Sequence, residues 1–204
     1  METTQPVKLA LCMQRADAPA AFNEATTERV IPFDAHMLAR IQTALIDRAV
    51  CEKDESTLQL IPYIVLRDTN GNILRYSRGK GGAEARLHAK TSIGFGGHVD
   101  VEAPFGHLFD ILHLEAKREL HEELGLTVTG DLSFTHLIVD PSDAVGWVHI
   151  GFLAIYTVPD DAALKLEAGV IEGVEWVHPP KLVKLDDFRR LEGWSRAVAL
   201  YLNR

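Results

Sequence analysis

Apolar and polar positions alternate with different periods in different parts of the chain. Over residues 34–50, Leu38, Ile41, Leu45 and Ala49 recur at three- to four-residue spacing, and Met37, Ala44 and Ile46 widen the stripe. With Asp34 as N-cap, this predicts an amphipathic helix. Upstream, Pro6, Pro19 and Pro32 interrupt a polar, Ala-rich stretch that resists a single regular element, and residues 9–13 are only a short apolar patch. The polar cluster 52–57 reads as a connector. From Leu58 the period becomes that of strands, which divides the chain into an N-terminal extension with one helix, 1–57, and a main domain, 58–204.

Residues 60–67 and 73–78 are rich in β-formers and flank Asn70-Gly71, so they predict a β-hairpin. Pro62 places the first strand at an edge, or itself at a strand start. Gly94, Gly96 and Gly97 within 91–99 suit a short strand that something approaches closely. Over 108–124 the period is helical, with Leu112, Ala116, Leu120 and Leu124 in one stripe and Gly125 as C-terminal cap. Strands are expected at 132–139, 145–156 and 174–178. A last helix is expected from Asp186-Asp187, with Phe188, Leu191, Trp194, Val198 and Tyr201 or Leu202 on its apolar face.

The 204 residues are 47% hydrophobic and 25% charged, which excludes disordered and collagen-like classes. No apolar run approaches the roughly 18 residues of a membrane span, and no signal peptide is seen, so a cytoplasmic protein without a membrane partner is expected. Cys12 and Cys51 form neither a CxxC nor a metal-spaced cluster, and read as ordinary thiols. The net charge of −8 disfavours duplex nucleic acid as a partner. Against that balance, residues 67–90 hold Arg67, Arg75, Arg78, Lys80, Arg86 and Lys90 but only Asp68 and Glu84. The segment is either a solvated hairpin or a phosphate-binding surface, in which case Arg78 and Lys80 are its candidate contacts.

On the 108–124 helix, Glu119, Glu122 and Glu123 fall at i, i+3 and i+4, opposite the apolar stripe. Like charges at this spacing, near the negative end of the helix dipole, call for a cation. Magnesium takes hard oxygen ligands of this kind together with substrate phosphate. Arg118 is placed to pair with one carboxylate and fix its direction. The alternative is a solvated acidic face.

The run Arg118-Glu119-Leu120-His121-Glu122-Glu123-Leu124-Gly125-Leu126 resembles the core of the Nudix box, R-E-U-x-E-E-x-G-U with U a bulky aliphatic, and matches all seven specified positions. Such a match arises by chance on the order of once in ten million start positions. Gly96-Gly97 before the helix and Trp176-Val177 after it agree with the family, and Thr91 to His98 resembles a subgroup with a Ser-Ile-Gly-x-Gly-Gly-His strand. The resemblance implies an α+β fold, the Nudix α/β/α sandwich, here with an N-terminal helical extension and a C-terminal helix. It implies Mg2+ or Mn2+ on Glu119, Glu122 and Glu123, with Arg118, Glu119 and Glu122 in catalysis. Gly96 and Gly97 would lie against the substrate, a nucleoside diphosphate linked to another group, cleaved at its pyrophosphate bond.

The upstream half of the box departs from the pattern: Asp110 stands at its glutamate position and Pro104 at its glycine position. If Gly97 is the equivalent glycine, the loop within 98–109 is extended by about seven residues. Asp110, Asp100, Glu102 and Glu115 then remain alternatives for the first glutamate, and Glu167, Glu172 and Glu175 for the general base. His98 has either a loop role or a chemical one. Two other functions stay open. One is a Nudix-fold nucleotide-binding or sensor module without turnover. The other, ranked last, is a diphosphate isomerase, whose Gly-Gly-His-Pro stretch is altered here by Val99. The apolar face of 37–49 either packs on the domain or joins a homodimer.

Overall fold

A computed structural model describes residues 7–23, 28–33, 37, 41–79, 90–99, 107–142 and 144–204. Among them, the strands are β1 (Leu9–Gln14), β2 (Val30–Pro32), β3 (Thr43–Asp47), β4 (Thr57–Arg67), β5 (Ile73–Arg78), β6 (Thr91–Ser92), β7 (Gly94–Phe95), β8 (Phe134–Ile138), β9 (His149–Thr157) and β10 (Ile171–Val177). The helices are α1 (Ala20–Asn23), α2 (Arg48–Cys51), α3 (Leu108–Leu124), α4 (Ala144–Trp147), α5 (Pro179–Leu182), α6 (Leu185–Arg190) and α7 (Gly193–Tyr201). No helix of the described residues is long and apolar enough to cross a membrane.

One mixed sheet runs in the order β10-β5-β4-β9-β8-β2, with β1 and β7 also on β4, β3 on β1 and β6 on β5. Its spine is the parallel pair β4 and β9, in register from Gln59 with His149 to Arg67 with Thr157. Alternation along β4 feeds two cores, as the two-residue strand period requires. Leu58, Leu60, Ile64 and Leu66 join Leu112, Ala116, Leu120 and Leu124 of α3 on one face. Tyr63 and Val65 join Leu191 and Ala197, Val198 and Ala199 of the C-terminal helices on the other. The architecture is thus the expected α+β sandwich.

Helix α3 spans the residues its apolar stripe predicts. Gly125 ends it at φ +61°, donating its N–H to the His121 carbonyl, in left-handed backbone that glycine adopts without cost. The Asn70-Gly71 turn also stands, with Gly71 at φ +83° and the Asn70 and Asn72 N–H groups donating to Asp68 Oδ1.

Several expectations require correction. The helix over 34–50 is instead strand β3 at 43–47 followed by the one-turn α2, while 34–36 and 38–40 lie outside the described residues. Strand β1, formed by the apolar patch at 9–13, offers an antiparallel edge pairing Leu9 with Asp47 through Met13 with Thr43. Ile46 then packs with Ala10, Cys12 and Cys51, whereas Leu45 turns to the larger core. Pairing thereby replaces a helical stripe by alternation. Pro62 is interior to the eleven-residue β4 and buried, not at an edge. It is tolerated because β1 covers that side of β4 only at 57–59 and β7 only at 64–65, which leaves a gap in the ladder between them. The strand expected from 145 begins at His149, after α4. The final helix is broken at Leu191-Glu192, where Leu191 bridges Thr91 and the Glu192 N–H donates to the Thr91 carbonyl at 3.0 Å.

Candidate active site

The gap beside Pro62 is lined by glycine for steric reasons. A Cβ on Gly96 would stand 1.9 Å from the Pro62 carbonyl oxygen, and one on Gly97 would stand 2.2 Å from Glu119 Oε1. Glycine at these positions lets the acidic face of α3 come against the end of β7. A cavity of about 280 Å³ opens there. Gly96, Gly97, Glu119 and Glu123 form one part of its wall, Arg78 and Glu192 another, and Ile61, Tyr63 and Trp194 an apolar part.

The acidic residues of α3 separate into two groups. Arg118 is a hub that pairs with Glu115, Glu119 and Glu122, donating to Glu119 Oε1 at 2.6 Å. Those bonds, with Glu115 foremost, hold its guanidinium charged beyond its ordinary value. Glu115 is buried, while Asp110 is exposed in the first turn, so of these alternatives for the first glutamate Glu115 is the one against Arg118. Asp100 and Glu102 lie outside the described residues. Glu122 keeps 53% side-chain exposure and is bound to Arg118.

Glu119 and Glu123 line the cavity. Burial, and then neighbouring carboxylates, push the Glu119 carboxyl up to about 7 and that of Glu123 up to about 8, against partial relief from Arg118 and Arg78 respectively. Glu123 Oε2 is buried without a hydrogen-bond partner among the described residues. A pair of this kind is costly unless protonated or met by a cation.

Arg78 reaches the cavity from β5. Its Nε donates to Glu192 Oε2 at 2.8 Å, and its guanidinium lies 5.7 Å from the Tyr76 ring centre. Glu192 is held in turn by Ser92 Oγ at 2.7 Å, and Ser195 Oγ lies 2.8 Å from the Tyr63 hydroxyl. The helix break at 191–192 turns the Glu192 carboxylate into this network. The described part of the basic segment is thus divided: Arg67 and Lys90 are exposed, whereas Arg75 is buried and donates to Glu175 Oε1 at 3.0 Å and to Asp187 Oδ1 at 2.5 Å. Lys80 and Arg86 lie outside the described residues.

Of the three later glutamates, Glu175 is engaged with Arg75 and Lys181. Glu167 donates its backbone N–H to the Glu123 carbonyl at 2.8 Å, and its charge contributes to the raised Glu123 carboxyl. Glu172 is exposed on β10. His98 lines the cavity beside His149, with their Nε2 atoms 3.1 Å apart.

The sequence pattern did not single out Glu192, Ser92, Ser195, Tyr63 or His149. For Glu192 the neighbouring Gly193, inside an expected helix, was the available signal; for the others, residues distant in sequence had to be brought together first.

No protein-family model matches the chain. Protein YmaB of Bacillus subtilis (strain 168) is 33% identical over 168 residues, 80% of this chain and 81% of that one. Among solved structures, Tm1382, named a candidate Nudix hydrolase, superposes with a TM-score of 0.69 at 24% identity, over 96% of this chain and 99% of that one. DR0079 from Deinococcus radiodurans gives 0.55 at 18% identity, over 86% and 99%. The Nudix domain of Shewanella oneidensis NrtR, complexed with ADP ribose, gives 0.50 at 13% identity, over 72% and 86%.

Proposed function

We propose that this chain, which has the Nudix fold, is a divalent-metal-dependent hydrolase of that family that cleaves the pyrophosphate bond of a nucleoside diphosphate linked to a second group. The observation that carries this reading is the half-buried pair Glu119 and Glu123 facing a cavity, with the buried Glu123 Oε2 lacking a hydrogen-bond partner among the described residues.

These residues fit Mg2+ or Mn2+, which take carboxylate oxygens. Glu119 and Glu123 would hold the ion, and Glu122, tied here to Arg118, would complete the acidic set at the rim. When bound, such an ion polarises the phosphoryl group and makes water a stronger nucleophile. Arg118 aims the Glu119 carboxylate into the cavity through its 2.6 Å bond. Arg78, fixed by Glu192, offers a positive charge to the diphosphate, joined by Lys80 if that side chain reaches the same phosphates. Gly96 and Gly97, which line the cavity, would lie against the substrate. Ile61, Tyr63 and Trp194 take the organic part, the Tyr63 and Trp194 rings being edge-on at 5.7 Å. Glu167 is the favoured proton acceptor, since its charge reaches Glu123 and no ion pair engages it among the described residues.

The test is incubation with magnesium and a panel of nucleotide sugars, dinucleoside polyphosphates and ADP-ribose, followed by product analysis. Metal-dependent release of a nucleoside monophosphate supports the proposal. Saturable nucleotide binding without turnover across the panel would replace it with the sensor reading.

A further inference from the structure

We propose a second metal site, formed by Glu52 and by the cavity-lining His98 and His149, that takes a borderline divalent transition metal of the zinc class. The three residues arise from the C-cap of α2, the segment after β7 and the first position of β9, and their donor atoms lie within 4.8 Å of one another. This is a donor set of two imidazoles and one carboxylate, unlike the all-carboxylate set on α3. Imidazole suits zinc and its neighbours, whereas magnesium favours oxygen donors.

The histidine geometry favours chelation. Two imidazole nitrogens on a tetrahedral zinc ion stand about 3.3 Å apart, from Zn–N bonds of about 2.0–2.1 Å. Here His98 Nε2 and His149 Nε2 are 3.1 Å apart, with the rings at 76°. His149 Nδ1 lies 2.6 Å from the Val145 carbonyl oxygen, which can only accept, so the Nδ1 proton is donated there. That tautomer leaves a lone pair on Nε2, directed at His98. An outer hydrogen bond from the far ring nitrogen to a carbonyl is the usual way a metal-binding histidine is oriented. The turn α4, which displaced the expected start of β9, supplies this carbonyl.

A second, separate observation also points to a ligand. Gln59 is in register with His149 on the parallel neighbour strand, so both side chains leave the sheet on one face. Gln59 is fully buried, and neither its Oε1 nor its Nε2 has a hydrogen-bond partner among the described residues. An orphan amide costs on the order of 1–3 kcal/mol, and a metal with its water, placed at His149, would offset that. Arg48 Nε is 3.6 Å from Glu52 Oε1, a charge contact beyond hydrogen-bond range. It steadies the carboxylate and partly competes for it, which makes Glu52 the weakest of the three ligands.

Three protein donors leave one tetrahedral position, the arrangement of a site that exchanges a ligand. The cavity wall holding His98 and His149 also includes Gly97, which touches the Glu119 carboxylate. A metal here would add a second cationic centre for an anionic substrate. The donor set stands independently of the hydrolase reading.

Cobalt(II) is the probe, because its visible absorption is strong when tetrahedral and weak when octahedral. Titration of chelator-treated full-length protein should give one equivalent of intense absorption. His98→Ala and His149→Ala should abolish it, and Glu52→Gln should weaken cobalt binding at least about tenfold. The double variant Glu119→Gln/Glu123→Gln should keep it, which separates this site from the helix carboxylates whether or not the protein hydrolyses pyrophosphates. Weak octahedral absorption in the parent protein, an unchanged spectrum in His98→Ala, or loss only in the glutamate double variant would each overturn the proposal. Because His149 is buried, a melt of each metal-free variant accompanies the titration, and the half-buried His98 decides the outcome if His149→Ala does not fold.

Discussion

Glu122 and Glu123 are neighbours in one motif on one helix, yet they face different solvents. Glu122 lies on the outer face of α3, half exposed and bound to Arg118, in the network anchored by buried Glu115. Glu123 lies on the inner face, half-buried, with its carboxyl pushed up to about 8 and one buried oxygen unpartnered among the described residues. The outer group remains net negative, since one guanidinium serves several carboxylates, but each of its carboxylates already has a charged partner. The inner pair is electrostatically unfinished, which is the condition that favours a bound cation over a surface decoration.

The largest expected effect separates those faces. Glu123→Gln should lower pyrophosphate hydrolysis by about a hundredfold, and Glu122→Gln by about tenfold, because charge placed in a desolvated site is worth more than charge at its rim. Equal losses, measured as kcat/KM at limiting magnesium, would erase the distinction between the two faces.

The adjacent glycines sharpen it next. Gly97→Ala would press on the tip of the Glu119 side chain, which can swing aside, so activity should fall about tenfold while the melting temperature changes little. Gly96→Ala would meet a backbone carbonyl instead, and should destabilise the fold by about 1–3 kcal/mol in denaturant titration. The reverse assignment of effects would mean that Gly97 does not set the approach of Glu119.

Arg78→Lys should raise KM several-fold with a smaller change in kcat, if its contact with the diphosphate is equally strong in the ground and transition states. An unchanged KM would leave Arg78 as a structural partner of Glu192.

The smallest effect is on pH dependence. Glu119 and Glu123 have folded-state values of about 7 and about 8, above the ordinary carboxylate value. Their stabilisation is therefore full below the ordinary value and lost as pH rises through 7 to 8, since the folded state binds the extra protons. In EDTA the protein should melt lower at about pH 8.5 than at about pH 5.5. Excess magnesium, held in the native state by Glu119 and Glu123 under the proposed function, should flatten that slope. A metal-free slope that Glu123→Gln leaves unchanged would show that other groups carry it.

The physical range of each interaction decided what could be read from the chain. Helix α3, its Gly125 cap and the carboxylate spacing were legible because their governing contacts lie within a few residues of one another. The upstream box residue was not: counting places Asp110 at that position, but the described structure sets Glu115 against Arg118 and leaves Asp110 exposed.

The sequence by itself determined the strands around the Asn70-Gly71 turn, the helix bearing the box and the apolar faces that sandwich the sheet. Tertiary structure alone decided that 43–47 pairs as a strand, because the apolar spacing there fits a helix and only the edge of β1 selects the extended form. It alone broke the last helix at Leu191-Glu192, where docking on Thr91 and the charge of Arg78 outweigh one more helical turn. It also decided which glutamate is dry, and brought Glu52, His98 and His149 within 4.8 Å. Burial and long-range proximity depend on how the whole sheet closes, and no local pattern of residues encodes that.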